Sequence, residues 1–394
     1  MRDETAAGPS VQLSIVIPAL DEEKTVAICV QKAMRSISQL GAEVEGEVVV
    51  ADNGSVDRTA EVAEAMGARV VPATRKGYGN ALMAGLGAAR GEYLVMADAD
   101  DSYDLEEAAR FYHKLKEGYD FVIGNRFRGR IEKGSMPFLH RYLGTPVLGW
   151  VMNLFFRTGI GDVNCGMRGL SKEAFREMRL RAGGMEFATE MVVKASIRRL
   201  RIAEIPCNLY RDKRDGQPHL STWRDGWRHL RFMLLFTPLW TFLIPGVLLT
   251  LLGGVGLVVL ALRDVVNPEA LPLITQKHML SSMLLFLTGS YIFQLGLIAR
   301  TFSYSKHFDH ASVVARLLSK YFRLERGILL GGALAALGGL IFVYLGVSFY
   351  SPYLIRFSDL IRFDMAVFAI TCFLLGIQFV FTSFVLSLFY LKVK

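Results

Sequence analysis

Two carboxylates one residue apart, Asp98 and Asp100, close the apolar run Glu92-Tyr93-Leu94-Val95-Met96-Ala97-Asp98-Ala99-Asp100-Asp101. Residues 93–97 have the composition of a buried parallel strand, and the acidic cluster falls where that strand would leave its sheet. Ligands of open α/β sheets bind just beyond the carboxyl ends of the strands. A carboxylate pair in that place can hold a hard divalent cation, and the cation can neutralise a diphosphate. The same residues also fit an acidic turn that caps the next helix at Asp101, Ser102 or Asp104. Spacing alone does not choose between them.

The pattern around the pair supplies a scaffold. Residues 12–17 predict a first strand ended by Pro18, and a helix follows from Glu22 to about Leu40. Residues 47–50 predict a second strand, with the turn Asp52-Asn53-Gly54-Ser55 after it. A helix from about Asp57 leads to a third strand at 69–71. Lys76-Gly77-Tyr78-Gly79-Asn80 opens a helix running to about Arg90, the carboxylate-bearing strand comes fourth, and 121–123 predict a fifth. Such alternation implies an α/β fold with a mostly parallel sheet. The first βα turn, Pro18-Ala19-Leu20-Asp21-Glu22, holds no glycine. Gly77, Gly79 and Gly85 therefore do not make a dinucleotide fingerprint.

From about residue 232 the composition changes. Apolar runs at 232–262, 279–299, 328–350 and 365–391 are each long enough to cross a bilayer, which takes roughly 20 residues. None carries Asp, Glu, Lys or Arg in its interior, where each charge would cost about 2.5–3.5 kcal/mol. The link at 300–327 carries Arg300, Lys306, Arg316, Lys320, Arg323 and Arg326 against Asp309 and Glu325, and the other two links are nearly balanced. The excess predicts that this link, the first 231 residues and both termini are cytoplasmic. Met1-Arg2-Asp3-Glu4-Thr5 shows no apolar signal region, in keeping with a cytoplasmic first half. Cys29, Cys165, Cys207 and Cys372 lack metal-ligand spacing and are expected to be reduced. Much of the net charge of +8 flanks the spans, which fits anionic lipid headgroups better than nucleic acid.

Taken together, Ser14-Ile15-Val16-Ile17-Pro18-Ala19-Leu20-Asp21-Glu22-Glu23, Asp52-Asn53-Gly54-Ser55-Val56-Asp57-Arg58-Thr59, Lys76-Gly77-Tyr78-Gly79 and Asp98-Ala99-Asp100 resemble the family-2 glycosyltransferases. Gly124-Asn125-Arg126-Phe127, Asp162-Val163-Asn164-Cys165-Gly166-Met167-Arg168-Gly169 and Gly184-Met185-Glu186-Phe187-Ala188-Thr189-Glu190 narrow the resemblance to polyprenyl-phosphate transferases, such as dolichyl-phosphate mannose and glucose synthases. The resemblance covers residues 12 to about 235. It implies a GT-A-type catalytic domain over 1–210, an interfacial loop and helix over 211–231, and a membrane domain of four helices over 232–394.

It also implies roles. Pro18, Ala19, Leu20 and Glu22 would hold the nucleotide, with Asp52, Asn53, Lys76 and Asp98; Asn53 replaces a commoner aspartate. Asp98 and Asp100 match the motif for Mg2+ or Mn2+, with Ser102 where relatives often have glutamine. Arg126, Arg141 and Thr145 resemble the acceptor-phosphate site, although Arg141 also fits a solvated helix face. Glu190 is expected to reach the sugar or acceptor, or to be an ordinary helix carboxylate. Arg211, Arg214 and His219 are the matches to a loop over the donor diphosphate.

The chemistry implied is inverting transfer of a hexose from a UDP- or GDP-sugar, UDP-glucose first and GDP-mannose as the alternative, to a membrane polyprenyl or dolichyl phosphate. A lipid phosphate is largely ionised at neutral pH. It needs planar, multidentate cations more than a base, which favours arginine. From Ser221 a helix would stripe Trp223, Trp227, Leu230 and Leu234 beside Arg224, Arg228 and Arg231, as suits a headgroup layer; packing of the tryptophans into the domain is the alternative. Polymer-forming synthases are disfavoured because no span precedes the domain and no Gln-x-x-Arg-Trp occurs. A non-catalytic scaffold or translocator is the reading from another class, and a homo-oligomer is left open.

Overall fold

The computed structural model describes residues 11–213, 222–266, 272–305, 324–350 and 359–390. Its contacts divide it into two compact units, Met1–Leu235 and Phe236–Lys394.

The first unit is built on strands β1 (Leu13–Ala19), β2 (Gly46–Asp52), β3 (Arg69–Pro72), β4 (Tyr93–Met96), β5 (Phe121–Asn125), β6 (Arg168–Ser171) and β7 (Ile202–Pro206). They form one sheet in the order β3-β2-β1-β4-β6-β5-β7. Among them only β6 is antiparallel to its neighbours. This is the GT-A-like, mostly parallel arrangement. Every residue of β1 is buried, as expected of a parallel strand covered on both faces. The helices are α1 (Val26–Gln39), α2 (Thr59–Ala65), α3 (Tyr78–Ala88), α4 (Ala108–Lys116), α5 (Thr145–Phe156), α6 (Lys172–Met178), α7 (Phe187–Ile197) and α8 (Thr222–Leu235). α1 buries Val26, Cys29, Val30 and Ala33, a single stripe at helical spacing.

Two expectations are corrected. Pro18 does not end β1, which pairs with β2 through Ala19 and Asp52. On its other side β1 pairs with β4 only as far as Val16 and Met96. The chain has thus lost that neighbour where the missing proline N–H would matter. Strands β6 and β7 extend the sheet beyond the five predicted strands. β6 is a four-residue strand beginning with Arg168 and Gly169, and β7 is half-buried along most of its length, so neither shows an apolar period.

The second unit contains α9 (Ile244–Val266), α10 (Pro272–Ser305), α11 (Leu324–Tyr350) and α12 (Asp359–Tyr390). Among the described residues four stretches are long and apolar enough to cross a membrane: Leu239–Leu262, Gln276–Phe302, Leu324–Tyr350 and Ile361–Phe389. The apolar run expected from residue 232 is split. Phe232–Leu235 end α8, and a π-helical turn, Leu239–Leu243, leads into α9. Pro238 stands between them, where a residue without an N–H suits a helix start. α9 packs closely on α10 at Gly253 against Phe286, and α11 on α12 at Gly331 against Gly376. Small residues at such crossings let helix backbones approach in lipid.

Candidate active site

The carboxyl ends of β1 and β2 carry two turns clamped together. Asp52 Oδ1 accepts from Ser55 N at 3.2 Å and Ser55 Oγ at 2.5 Å, and Ser55 Oγ accepts from Asp21 N at 3.0 Å. Asp21 has a positive φ of 56°, which short acidic side chains tolerate. Its carboxylate accepts from Val56 N at 2.8 Å. Pro18 and Ala19 are buried, Leu20 is half-buried, and Lys76 is exposed. Glu22 is buried and accepts from Thr25 Oγ1 at 2.9 Å, while its N–H donates to Thr59 Oγ1 at 2.8 Å. Asn53 Oδ1 accepts from Gly77 N at 3.2 Å. A Cβ at Gly77 or Gly79 would collide with the carbonyls of Gly183 or Ala182. These glycines therefore serve close approach of the 182–184 segment to the start of α3.

Asp98 and Asp100 follow β4, both half-buried. Asp98 Oδ1 accepts from Tyr78 OH at 2.9 Å. Burial and the adjacent Asp98 charge push the Tyr78 phenol well above its ordinary value, so it stays a donor. Asp98 Oδ2 faces Gly166, where a Cβ would collide with it. Asp100 Oδ1 accepts from Ser102 N at 3.0 Å. Asp101 adopts a φ of 58° and is 1 % exposed. Its two oxygens pair with Lys32 at 2.8 Å and Lys213 at 2.6 Å. Capping falls to Asp104, whose side chain accepts from Glu106 N. Among the described residues no three His, Cys, Asp or Glu side chains converge as metal ligands. Two carboxylates fit Mg2+ or Mn2+ all the same, because such ions are commonly held by one or two carboxylates plus substrate phosphates.

On the far side of the 162–166 loop lies Arg126, just after β5. Asp162, fully buried, receives Arg126 Nε at 2.7 Å and Nη2 at 2.8 Å, and the Arg126 backbone N–H at 3.0 Å. Burial works against the Arg126 charge, yet the groups around it, with Asp162 among them, hold its pKa well above the ordinary value. It is permanently cationic. Nη1 has no acceptor among the described residues. Glu204 on β7 positions the loop, accepting from Gly161 N at 2.7 Å and Asp162 N at 3.0 Å. Arg168 is fully buried and donates to the carbonyls of Val163, Cys165 and Ala188, tying the loop to α7.

Arg126 and Thr145 line a cavity of about 500 Å³. Its other polar lining comes from His140, Asn164 and His229, and among the described residues no carboxylate lines it. Asn164 Oδ1 is buried with no partner among the described residues. Most of the remaining wall is apolar, including Leu139, Leu143, Val147 and Trp227. A lining with an arginine and further polar side chains in an apolar wall suits an anion with a hydrocarbon tail.

The sequence profile of glycosyl transferase family 2 matches residues 14–179, and that of the glycosyltransferase family 2 C-terminal transmembrane region matches 297–390. A low-salt glycan biosynthesis hexosyltransferase of Haloferax volcanii, Agl6, is 34% identical over 380 residues, which cover 95% of this chain and 88% of the relative. The chain belongs to glycosyltransferase family 2. A dolichyl-phosphate hexose transferase of the same organism is 30% identical over 216 residues, 54% of this chain and 89% of that protein. Among solved structures, glucosyl-3-phosphoglycerate synthase from Mycobacterium tuberculosis matches at 25% identity with a TM-score of 0.45, over 57% of this chain and 78% of that one. With its four apolar helices, the glycosyltransferase is an integral membrane protein.

Within the family-2 framework, several expected site residues stand elsewhere. Arg141 is half-buried against the Tyr142 ring, 5.5 Å from its centroid, and does not line the cavity; its neighbour His140 does. The helix at 140–144 is a π-helical turn, and its wider winding shifts which side chain faces inward. Glu190 is 2 % exposed and accepts from Arg181 N and Ala182 N while pairing with Lys194 at 2.7 Å. It shapes the 181–184 segment, in agreement with the plainer of its two readings. Arg211 Nε donates to Lys133 O at 2.7 Å and its N–H to Glu132 at 2.9 Å. Arg214 and His219 lie outside the described residues, as do the side chains of Trp223 and Arg224. Trp227 is 59 % exposed, and α8 is buried through His229 and Met233. Asp162, Tyr78, Glu204 and His229 carried no assigned role in the sequence, since their partners lie far away along the chain.

Proposed function

We propose that the protein transfers a hexose, with inversion, from a nucleotide sugar to a membrane polyprenyl phosphate. UDP-glucose is the proposed donor, on the resemblance of the Gly184–Glu190 segment to glucose-type transferases. The observation that carries this reading is the cavity, in which Arg126, whose Nη1 has no acceptor among the described residues, and Thr145 sit in an otherwise largely apolar wall. It is supported by the apolar surface around it: Phe138, Tyr142, Leu143, Val147, Trp150 and Trp227 are all exposed. Exposed patches of this kind mark binding or membrane surfaces.

In this reading the turns at Leu20, Asp52 and Asn53, with Lys76, bind the nucleotide. Mg2+ or Mn2+, held by Asp98 and Asp100, would neutralise the leaving diphosphate as a Lewis acid. Arg126 orients the lipid phosphate so that one of its oxygens attacks the anomeric carbon from the face opposite the diphosphate. The bond to the nucleotide diphosphate breaks as the new C–O bond forms. The attacking phosphate is already an anion, so no base is required. Its charge is met by Arg126 in a largely apolar wall, where electrostatic contacts are strong.

The test is transfer from labelled UDP-glucose, GDP-mannose and UDP-N-acetylglucosamine to a polyprenyl phosphate by purified protein, with and without chelator. One sugar is expected to pass to the lipid, with turnover lost on chelation and in Asp100→Ala. Turnover indifferent to chelator and to Asp100→Ala would remove the metal role. Absence of lipid-linked product with every donor would remove the function.

A further inference from the structure

The 162–166 loop carries one side chain that the scheme above leaves unused. Asn164 stands at its middle. On one side is Asp162, which grips Arg126. On the other is Gly166, whose N–H donates to the Tyr103 hydroxyl at 2.9 Å and whose missing Cβ leaves room for Asp98. The backbone around Asn164 is clamped. Arg168, fully buried, donates to the carbonyls of Val163 at 2.9 Å and Cys165 at 2.8 Å, and Asn164 N–H donates to Asp162 Oδ1 at 3.3 Å. The side chain is in the opposite condition. It lines the cavity with Arg126 and Thr145, and its Oδ1 is shut off from solvent with no donor among the described residues. Asparagine in a loop commonly commits its side chain to a nearby backbone group, and among the described residues Oδ1 makes no such bond. A buried carbonyl oxygen without a donor destabilises the fold, whereas an apolar group of the same shape would not. Local packing therefore gives no reason for an amide here.

The proposed transfer supplies one. In-line displacement puts the sugar between the diphosphate at Asp98 and Asp100 and the lipid phosphate at Arg126. The loop runs between those two ends, with Asn164 at its midpoint. Oδ1 is an acceptor and needs a donor. The ionised lipid phosphate and the diphosphate have no O–H to give, whereas the hydroxyls of the sugar do. The last torsion of asparagine is soft, so the amide can turn its oxygen towards an arriving hydroxyl. We propose that Asn164 accepts a hydrogen bond from a hydroxyl of the transferred hexose and so helps to select the sugar. The inference rests on the transfer reading above and names a specificity residue for it.

The experiment uses the full chain in lipid nanodiscs with polyprenyl phosphate, the nucleotide sugar that wild type transfers, and analogues of that donor lacking one sugar hydroxyl each. Asn164→Leu removes the amide at similar volume. It should unfold at a temperature equal to or above that of wild type, because the unpaired oxygen is gone. Its kcat/KM for the nucleotide sugar should fall by about 10-fold, the worth of one hydrogen bond. KM for the lipid phosphate should stay within about 2-fold, below that effect. One analogue should be a poor donor for wild type, and Asn164→Leu should be indifferent to the same deletion. Asn164→Asp, which keeps an acceptor, should still discriminate against that analogue. If Asn164→Leu unfolds at a lower temperature and loses the same factor with every donor, the amide serves the loop alone and the assignment is overturned. A rise in KM for the lipid phosphate without any change in sugar discrimination would overturn it too, moving the contact to the acceptor. If wild type passes no sugar to the lipid from any donor, the transfer reading falls and the assignment falls with it.

Discussion

Arg126 and Asp162 show how the residue proposed to bind the acceptor is held in place. The carboxylate takes the guanidinium along one edge, through Nε and Nη2, and Nη1 has no acceptor among the described residues. Only a planar, forked cation can serve a carboxylate and a phosphate together. Arg126→Lys is therefore not a mild change. We expect it to raise KM for the lipid phosphate by about 10-fold or more while KM for the nucleotide sugar stays nearly constant. Initial-rate kinetics with each substrate varied in turn would check this, and an equal rise in both constants would contradict the assignment. Asp162→Ala should be more severe and less selective, because it leaves a buried guanidinium without its counter-ion, a loss of about 3–5 kcal/mol.

At the level of elements, the site is assembled from strand ends and one loop. Glu204 on β7 fixes the 161–162 backbone, Asp162 fixes Arg126, and Gly166, four residues on, leaves room for Asp98. A five-residue loop thus separates the proposed metal carboxylates from the proposed acceptor cavity. The opposite end of the sheet is held differently. Glu47 on β2 accepts from Arg90 N at 2.6 Å, Arg69 Nη2 at 2.8 Å and Ser14 Oγ at 2.8 Å. Burial alone would raise its carboxyl, but these hydrogen bonds and the Arg69 charge outweigh burial and hold it below its ordinary value. A carboxylate depressed in the folded state stabilises fully above its unfolded pKa, about 4.3, and loses that contribution as pH falls through the folded value. Glu47→Gln should cost about 1–3 kcal/mol at pH 7. Thermal unfolding of the purified protein should show the gap from wild type closing below about pH 4; a gap independent of pH would rule out the charge as its cause.

Across the whole molecule, a catalytic unit is joined in sequence to four apolar helices that carry their own polar seam. Gln294 on α10 donates to Ser290 at 3.0 Å and to Gln378 on α12 at 3.3 Å, and accepts from Thr382 at 2.6 Å. Polar side chains in lipid need such partners, and the network fixes the rotation of α10 against α12. The orientation proposed for the helices follows from the cationic 300–327 link. A cysteine placed at Asn267 should then react with a membrane-impermeant maleimide in intact cells, and one at Ser312 only after permeabilisation. The four native cysteines are buried and should contribute little background. The reverse labelling pattern would place the catalytic unit on the other side of the membrane.

Much of this was legible in the chain because it is written in short-range patterns. The paired carboxylates announce themselves at the end of an apolar run, the spans by length and freedom from charge, and the central strands by continuous burial. The turns at Asp52 and Asn53 follow from residue type. What stayed hidden depends on separation along the chain. Arg126 finds Asp162 36 residues away, Asp162 N finds Glu204 across 42, and Thr189 meets His229 across 40. Such partners are chosen by how strands and helices stack. For the same reason Arg141 and Glu190, plausible by position, point elsewhere: a π-helical turn rotates one, and a pair of backbone amides claims the other. Residue types and their local order set which chemistry is possible, and packing over tens of residues selects which side chains share a cavity.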